Sequence, residues 1–160
     1  MKEQIANPFV TSGYMGPEFF CDRHDESERI LKAISSGRNI TLISLRRMGK
    51  TGLLKHVKHK LEKSGNPAAV IYVDLLPTLN GNDLLSSVST SLLRIKTDEK
   101  NIIGKVLGML GSLRPKITID SLTGQPALEL IIDSPAKIQS GFDQLLQLIS
   151  EIKRKIVFMF

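Results

Sequence analysis

The chain has 160 residues, 41% of them hydrophobic, and a formal net charge of +6. That composition can bury one core. A lone cysteine, no long uninterrupted apolar run and an Met1–Asn7 start without an apolar centre exclude a disulfide framework, a thiolate metal site, a membrane-spanning helix and a signal peptide. A soluble, cytoplasmic protein is expected.

The basic balance, with a pI of about 9.6, admits a nucleic-acid partner. Its cations are spread along the chain, however, and Lys55, Lys58, Lys60 and Lys63 have the spacing of a solvated helix face. No aromatic-rich RNA-binding signature accompanies them.

In chain order, residues 1–21 read as an irregular leader, punctuated by Pro8, Gly13, Gly16 and Pro17. Asp22 is placed to cap a helix with an acidic first turn (Asp25, Glu26, Glu28), a buried side at Ile30, Leu31 and Ile34, and a stop at Gly37. Asn39–Leu45 is β-branched and apolar, which predicts a buried strand.

Ser44-Leu45-Arg46-Arg47-Met48-Gly49-Lys50-Thr51 matches the phosphate-binding pattern G-x-x-x-x-G-K-[ST] except that Ser44 replaces the first glycine. Such a loop turns successive backbone N–H groups toward phosphate oxygens, at the positive end of the helix that follows. Gly49 lets the main chain approach the ligand closely. Lys50 is the candidate for the β- and γ-phosphates, and the Thr51 hydroxyl for a magnesium ion. Gly52 continues into the helix. Arg46 and Arg47 at the loop tip either contact phosphate or a partner, or pack outside the cradle.

A helix is predicted next, with Leu53, Leu54, Val57 and Leu61 inside and Gly65, Asn66 and Pro67 as its stop. Ala68–Asp74 is a second buried strand, closed by Pro77. Asn80 or Asn82 starts a helix with Leu84, Leu85, Val88 and Leu92 inside. Ile102–Leu113, with Gly104 and Gly108, reads as weak helix or close packing. Strand–helix alternation to this point predicts a parallel sheet wound with helices.

Lys116–Asp120 and Leu128–Asp133 then alternate about a turn at Gly124–Pro126, a hairpin insertion spanning about 114–136. Ser140 and Asp143 have capping-box spacing for a last helix facing inward at Phe142, Leu145, Leu146, Ile149 and Ile152. Ile156–Phe160 is apolar throughout and reads as the start of a third buried strand. Its neighbours are expected beyond residue 160, which makes the chain an expected fragment.

Further residues read as structural. His56 and His59 are expected to be solvated, Asp74 to serve a strand-end turn, and Ser89, Thr90 and Ser91 to lack the partner of a nucleophile. Cys21 is expected to be an inert thiol.

Taken together, the leader Gly16–Arg23 with its acidic helix, the loop Leu45–Leu54, the segment Ile71–Leu75 and the stretch Lys116–Phe160 resemble the archaeal-type P-loop ATPases of prokaryotes, relatives of the AAA+ and signal-transducing ATPases. The resemblance implies a three-layer αβα P-loop domain over 22–160, with a mainly parallel sheet, incomplete here. It implies binding of ATP with Mg2+ through Ser44, Arg46, Arg47, Met48, Gly49, Lys50, Thr51 and Gly52. It also places Phe20 and Arg23 beside the adenine.

Magnesium-dependent hydrolysis in the complete protein would drive a conformational change, with the required carboxylates after Phe160. Any DNA or protein partner would engage regions beyond residue 160. The alternatives are a non-hydrolytic nucleotide switch and, from charge alone, a nucleic-acid-binding module. The resemblance further implies that Ile40–Leu45 and Ile156–Phe160 are not direct neighbours in a sheet.

Overall fold

A computed structural model describes residues 14–64, 68–95, 102–119, 124, 126–132 and 134–160. Among them the chain is mixed α/β, with five α-helices, a two-stranded parallel sheet and a separate antiparallel pair. It divides into two compact units, Met1–Pro67 and Ala68–Phe160.

In the first unit, α1 spans His24–Ser35 and α2 spans Lys50–Glu62. Helix α1 ends as expected at Gly37, whose φ of 69° is left-handed. The Gly37 and Arg38 N–H groups return to the Ile34 and Ala33 carbonyls, the paired bonds of a Schellman stop. Its start differs from expectation. Asp22 itself sits at a φ of 63° and Arg23, at 138°, is the boundary residue, so no side chain caps α1. The expected stop of α2 at 65–67 lies outside the described residues.

The strand expected at Asn39–Leu45 does not form: the segment joins no ladder among the described residues. Its β-branched residues have the propensity, but a strand is a pairing, and no other described segment of this unit is extended into one. Ile43 and Leu45 consequently stand 91% and 80% exposed.

In the second unit, β1 (Ala69–Tyr72) pairs in parallel with β4 (Ile156–Met159), Ala69 opposite Ile156. Thus β4 takes β1 as its described partner, and residues 40–45 are not hydrogen-bonded to it in a ladder. Between them lie α3 (Gly81–Leu93), α4 (Ile102–Met109) with a 3₁₀ turn to Leu113, the hairpin strands β2 (Lys116–Ile119) and β3 (Pro126–Glu129), and α5 (Pro135–Glu151). Ile71, Leu85, Leu92, Val106, Leu110 and Leu145, all at most 2% exposed, form the centre of its core.

Helix α3 shows how local chemistry places an element. The Asn80 side chain accepts from the Asp83 N–H at 3.0 Å, and Asp83 Oδ2 accepts from the Leu79 N–H at 2.9 Å. Two otherwise unpaired donors are thereby satisfied. Asn80→Ala is expected to lower the unfolding free energy by about 1 kcal/mol, read as a shift in denaturant midpoint without a change in slope.

Residues at four-residue spacing on α3 also serve the backbone of the hairpin side. The Leu128 N–H donates to Thr90 Oγ1 at 2.8 Å and the Leu130 N–H to Ser86 Oγ at 3.3 Å, while Asn82 Nδ2 donates to the Leu130 carbonyl at 3.2 Å. The open side of β3 and its continuation is therefore covered by helix side chains. Thr90→Val keeps the shape and removes the acceptor, so it is expected to cost about 1–2 kcal/mol in the same measurement.

Helix α5 begins earlier than the Ser140–Asp143 spacing suggests. Ser134 is its boundary residue and Pro135 its first, a position where the missing proline N–H is harmless. Ser140 lies within the helix, and Asp143 accepts from Gln139 Nε2 at 3.5 Å. Leu148 rather than Leu146 faces the core, with Leu146 59% exposed. Phe142 and Ile152 pack at its margin. A Cβ built on Gly108 meets nothing within 4 Å, so close packing does not account for that glycine, whereas Val106, Leu110 and Leu113 of the same segment are buried in the core.

Candidate functional site

The loop and the leader residues singled out in the sequence both fall in the first unit. Between residues 45 and 50 the chain reverses through Arg47, at a φ of 67°, and Gly49, at 72°. Gly49 is the boundary residue of α2, and its carbonyl accepts the first helical bond, from the Leu53 N–H at 3.0 Å. No side chain caps this helix start, so its first-turn N–H groups have no side-chain acceptor there.

Lys50 is the first residue of α2, and its side chain folds back across the loop. The ammonium donates to the Ser44 carbonyl at 2.9 Å, to Ser44 Oγ at 3.1 Å and to the Leu45 carbonyl at 3.1 Å. These three bonds match its three protons. Ser44, where the pattern has glycine, thus contributes its own hydroxyl to the lysine and donates a longer bond to Leu45 O at 3.3 Å. Arg46, Arg47, Met48 and Thr51 are exposed, and Gly52 lies in the first turn with nothing near the position of an added Cβ.

Arg23 reaches this loop. Its Nη1 donates to the Met48 carbonyl at 2.8 Å, and Nε pairs with Glu26 Oε1 at 3.2 Å. A backbone hydrogen bond at the start of α1, together with the Arg23 guanidinium, holds the Glu26 carboxyl below its ordinary range.

Phe20 is engaged differently. Its ring stacks on His56 with centroids 3.8 Å apart and planes 10° apart, and Tyr14 meets both rings edge-on. His56 is therefore not solvated as expected: it is 4% exposed, and its Nδ1 lies 3.0 Å from the Tyr14 hydroxyl. It was legible in part, since His56 falls on the same helical stripe as Leu53 and Val57. Burial, then the charges of Lys60, His24 and His59, push its imidazole below the ordinary 6.5.

Among the described residues no group of three or more His, Cys, Asp or Glu could hold a metal, so His56 and His59 stand without further ligands. Asp74 Oδ1 accepts from the Leu76 N–H at 3.0 Å, the strand-end turn anticipated for it. Ser89 donates to the Leu85 carbonyl and Ser91 to the Tyr72 carbonyl, which leaves both as backbone-bonding hydroxyls. Cys21 is a free, exposed thiol. No described helix is long and apolar enough to cross a membrane.

Comparison with protein-family models, with curated proteins and with solved structures gives no match.

Proposed function

We propose that the chain binds ATP with Mg2+ through the loop 44–52. The observation that carries this reading is the position of Lys50. Its ammonium is held over the loop by exposed oxygens of Ser44 and Leu45, beside a helix start that no side chain caps. A phosphate placed there gains the ammonium and the first-turn N–H groups together, and water takes over the released carbonyls.

The residues fit the metal as a hydroxyl fits a hard cation: Thr51, exposed in the first turn, would contribute one oxygen ligand, with phosphate oxygens and water as the others. Bound magnesium would neutralise charge on the phosphates. Gly49, at a φ of 72° with only Arg23 Nη1 within 4 Å of an added Cβ, leaves the backbone open to the ligand. Arg23 ties the leader to the same loop through Met48. The three-layer P-loop architecture belongs to this proposal, as does magnesium-dependent ATP hydrolysis, whose free energy would drive a conformational change.

Isothermal titration of the folded chain with magnesium ATP tests the binding. Saturable heat and a raised melting temperature are expected. Absence of both would remove the reading.

A further inference from the structure

We propose that protonation of His56 unlatches residues 14–20 from α2, so that this segment is a strap that opens as the pH falls. The inference does not depend on nucleotide binding.

The strap is pinned to the loop–helix segment at two places. Just beyond its end, at the start of α1, Arg23 holds the Met48 carbonyl. Further back, Phe20 covers one face of His56 and Tyr14 bonds its Nδ1. The second pin rests on the neutral imidazole. A neutral ring has one donor and one acceptor, and Nδ1 satisfies its share with the Tyr14 hydroxyl. His56 Nε2 is buried and has no hydrogen-bond partner among the described residues.

Protonation makes both ring nitrogens donors and adds a charge. From either tautomer the charged ring carries an Nε2–H with no acceptor among the described residues and an Nδ1–H that cannot accept from the Tyr14 hydroxyl, in a site only 4% exposed. The charged and titratable groups that act on the site offer little compensation. His59 and Lys60 come from α2 and His24 from α1, all potential cations. From the leader come Tyr14 itself and Glu18, whose charge acts on Tyr14. Glu28 of α1 is already engaged with Lys60 Nζ at 3.2 Å.

Relief requires water at Nε2, and the partner with the weaker hold must move. His56 sits in mid-helix between Leu53 and Val57, both fully buried. Tyr14 and Phe20 flank a three-residue 3₁₀ turn, Pro17–Phe19, which contains no buried residue. The strap is therefore the part that yields. Because the folded value lies under 6.5, the latch is complete above that pH and is lost as pH falls through the lowered value.

The sequence contains two tyrosines and no tryptophan, so Tyr72→Phe leaves Tyr14 as the only tyrosine emitter. Acrylamide quenching of that variant is followed as the pH is lowered, with far-UV circular dichroism in parallel. The quenching constant is expected to rise severalfold in one step centred below pH 6.5, with the helical signal unchanged. Adding His56→Asn, which keeps an acceptor near the Nδ1 position but does not titrate, should remove the step.

Quenching that is flat with pH, a step that persists in His56→Asn, or loss of helical signal in the same step would each overturn the proposal. Should His56→Asn not fold, proton NMR of the unsubstituted chain decides. The His56 ring and the Tyr14 ring must shift together, and independent titration would overturn it equally.

Discussion

Lys50→Ala is expected to weaken binding of magnesium ATP about a hundredfold or more, the equivalent of about 3 kcal/mol for a lost charge-assisted contact. The fold should barely register the change. The acceptors that Lys50 now holds are an exposed hydroxyl and two carbonyls of exposed residues, and water can replace an ammonium at all three. A melting temperature within a few degrees of the parent, combined with lost binding heat, is thus the predicted pattern.

Lys50→Arg sharpens the test. Guanidinium keeps the charge but spreads it over a planar fork that cannot present three protons from one point. Binding intermediate between parent and alanine variant would show that position matters beyond charge. Equal affinity in parent and alanine variant would instead mean that the ammonium merely ties off a surface loop, and the phosphate reading would fall.

The largest stability effect is expected at Gly141. This helical residue of α5 is buried, and a Cβ built on it would stand 2.5 Å from Leu85 Cδ2 and 2.7 Å from Leu113 Cδ1. Side-chain ends often move aside cheaply, but Leu85 and Leu113 are 0% and 1% exposed and are packed within the core. Relief there needs repacking across α3, the turn at Leu110–Leu113 and α5 together.

Gly141→Val therefore costs on the order of 3 kcal/mol, the upper part of the usual overpacking range. Gly141→Ala adds less volume and regains about 1 kcal/mol of helix propensity, so it should fall between parent and valine variant. Denaturant unfolding of the three chains checks the order. A valine variant as stable as the parent would show that the helices are not held so closely.

Much of this was legible in the sequence because the relevant signals are local. Asn80 caps α3 and Gly37 stops α1 through bonds that span a few residues; residue type places the stop at Gly37 and narrows the cap to Asn80 or Asn82, between which the structure selects Asn80. The expected strand cores at Val70–Ile71 and at 156–159 are likewise short apolar runs, and they do pair, although the second is not buried throughout as expected, with Phe158 41% and, just after the run, Phe160 62% exposed. Lys50 lies over the loop that its spacing singled out.

The failures arise where a distant partner or a competing local signal decides. Residues 39–45 have strand composition, yet no composition can provide the neighbouring strand. Ser140 and Asp143 have the spacing of a cap, but Pro135 is also a favoured helix start, and the earlier start carries the helix through both. The burial of His56 is hidden in the sequence because the charges around it on α2 mask the apolar stripe it shares with Leu53 and Val57. Its partners, Tyr14 and Phe20, lie some way back in the chain, and no helical spacing announces them.

The parallel pairing of β1 with β4 bears on how the second unit assembles. Its two strands come from opposite ends of that stretch of chain, whereas the hairpin contacts are short-range and helices are local by nature. Joining the remote strands incurs loop-closure entropy that the nearby contacts escape. Maturation of this unit should accordingly be limited by the meeting of its two extremities, and nascent chain emerging from a ribosome would wait for residues 156–159 before that ladder could form.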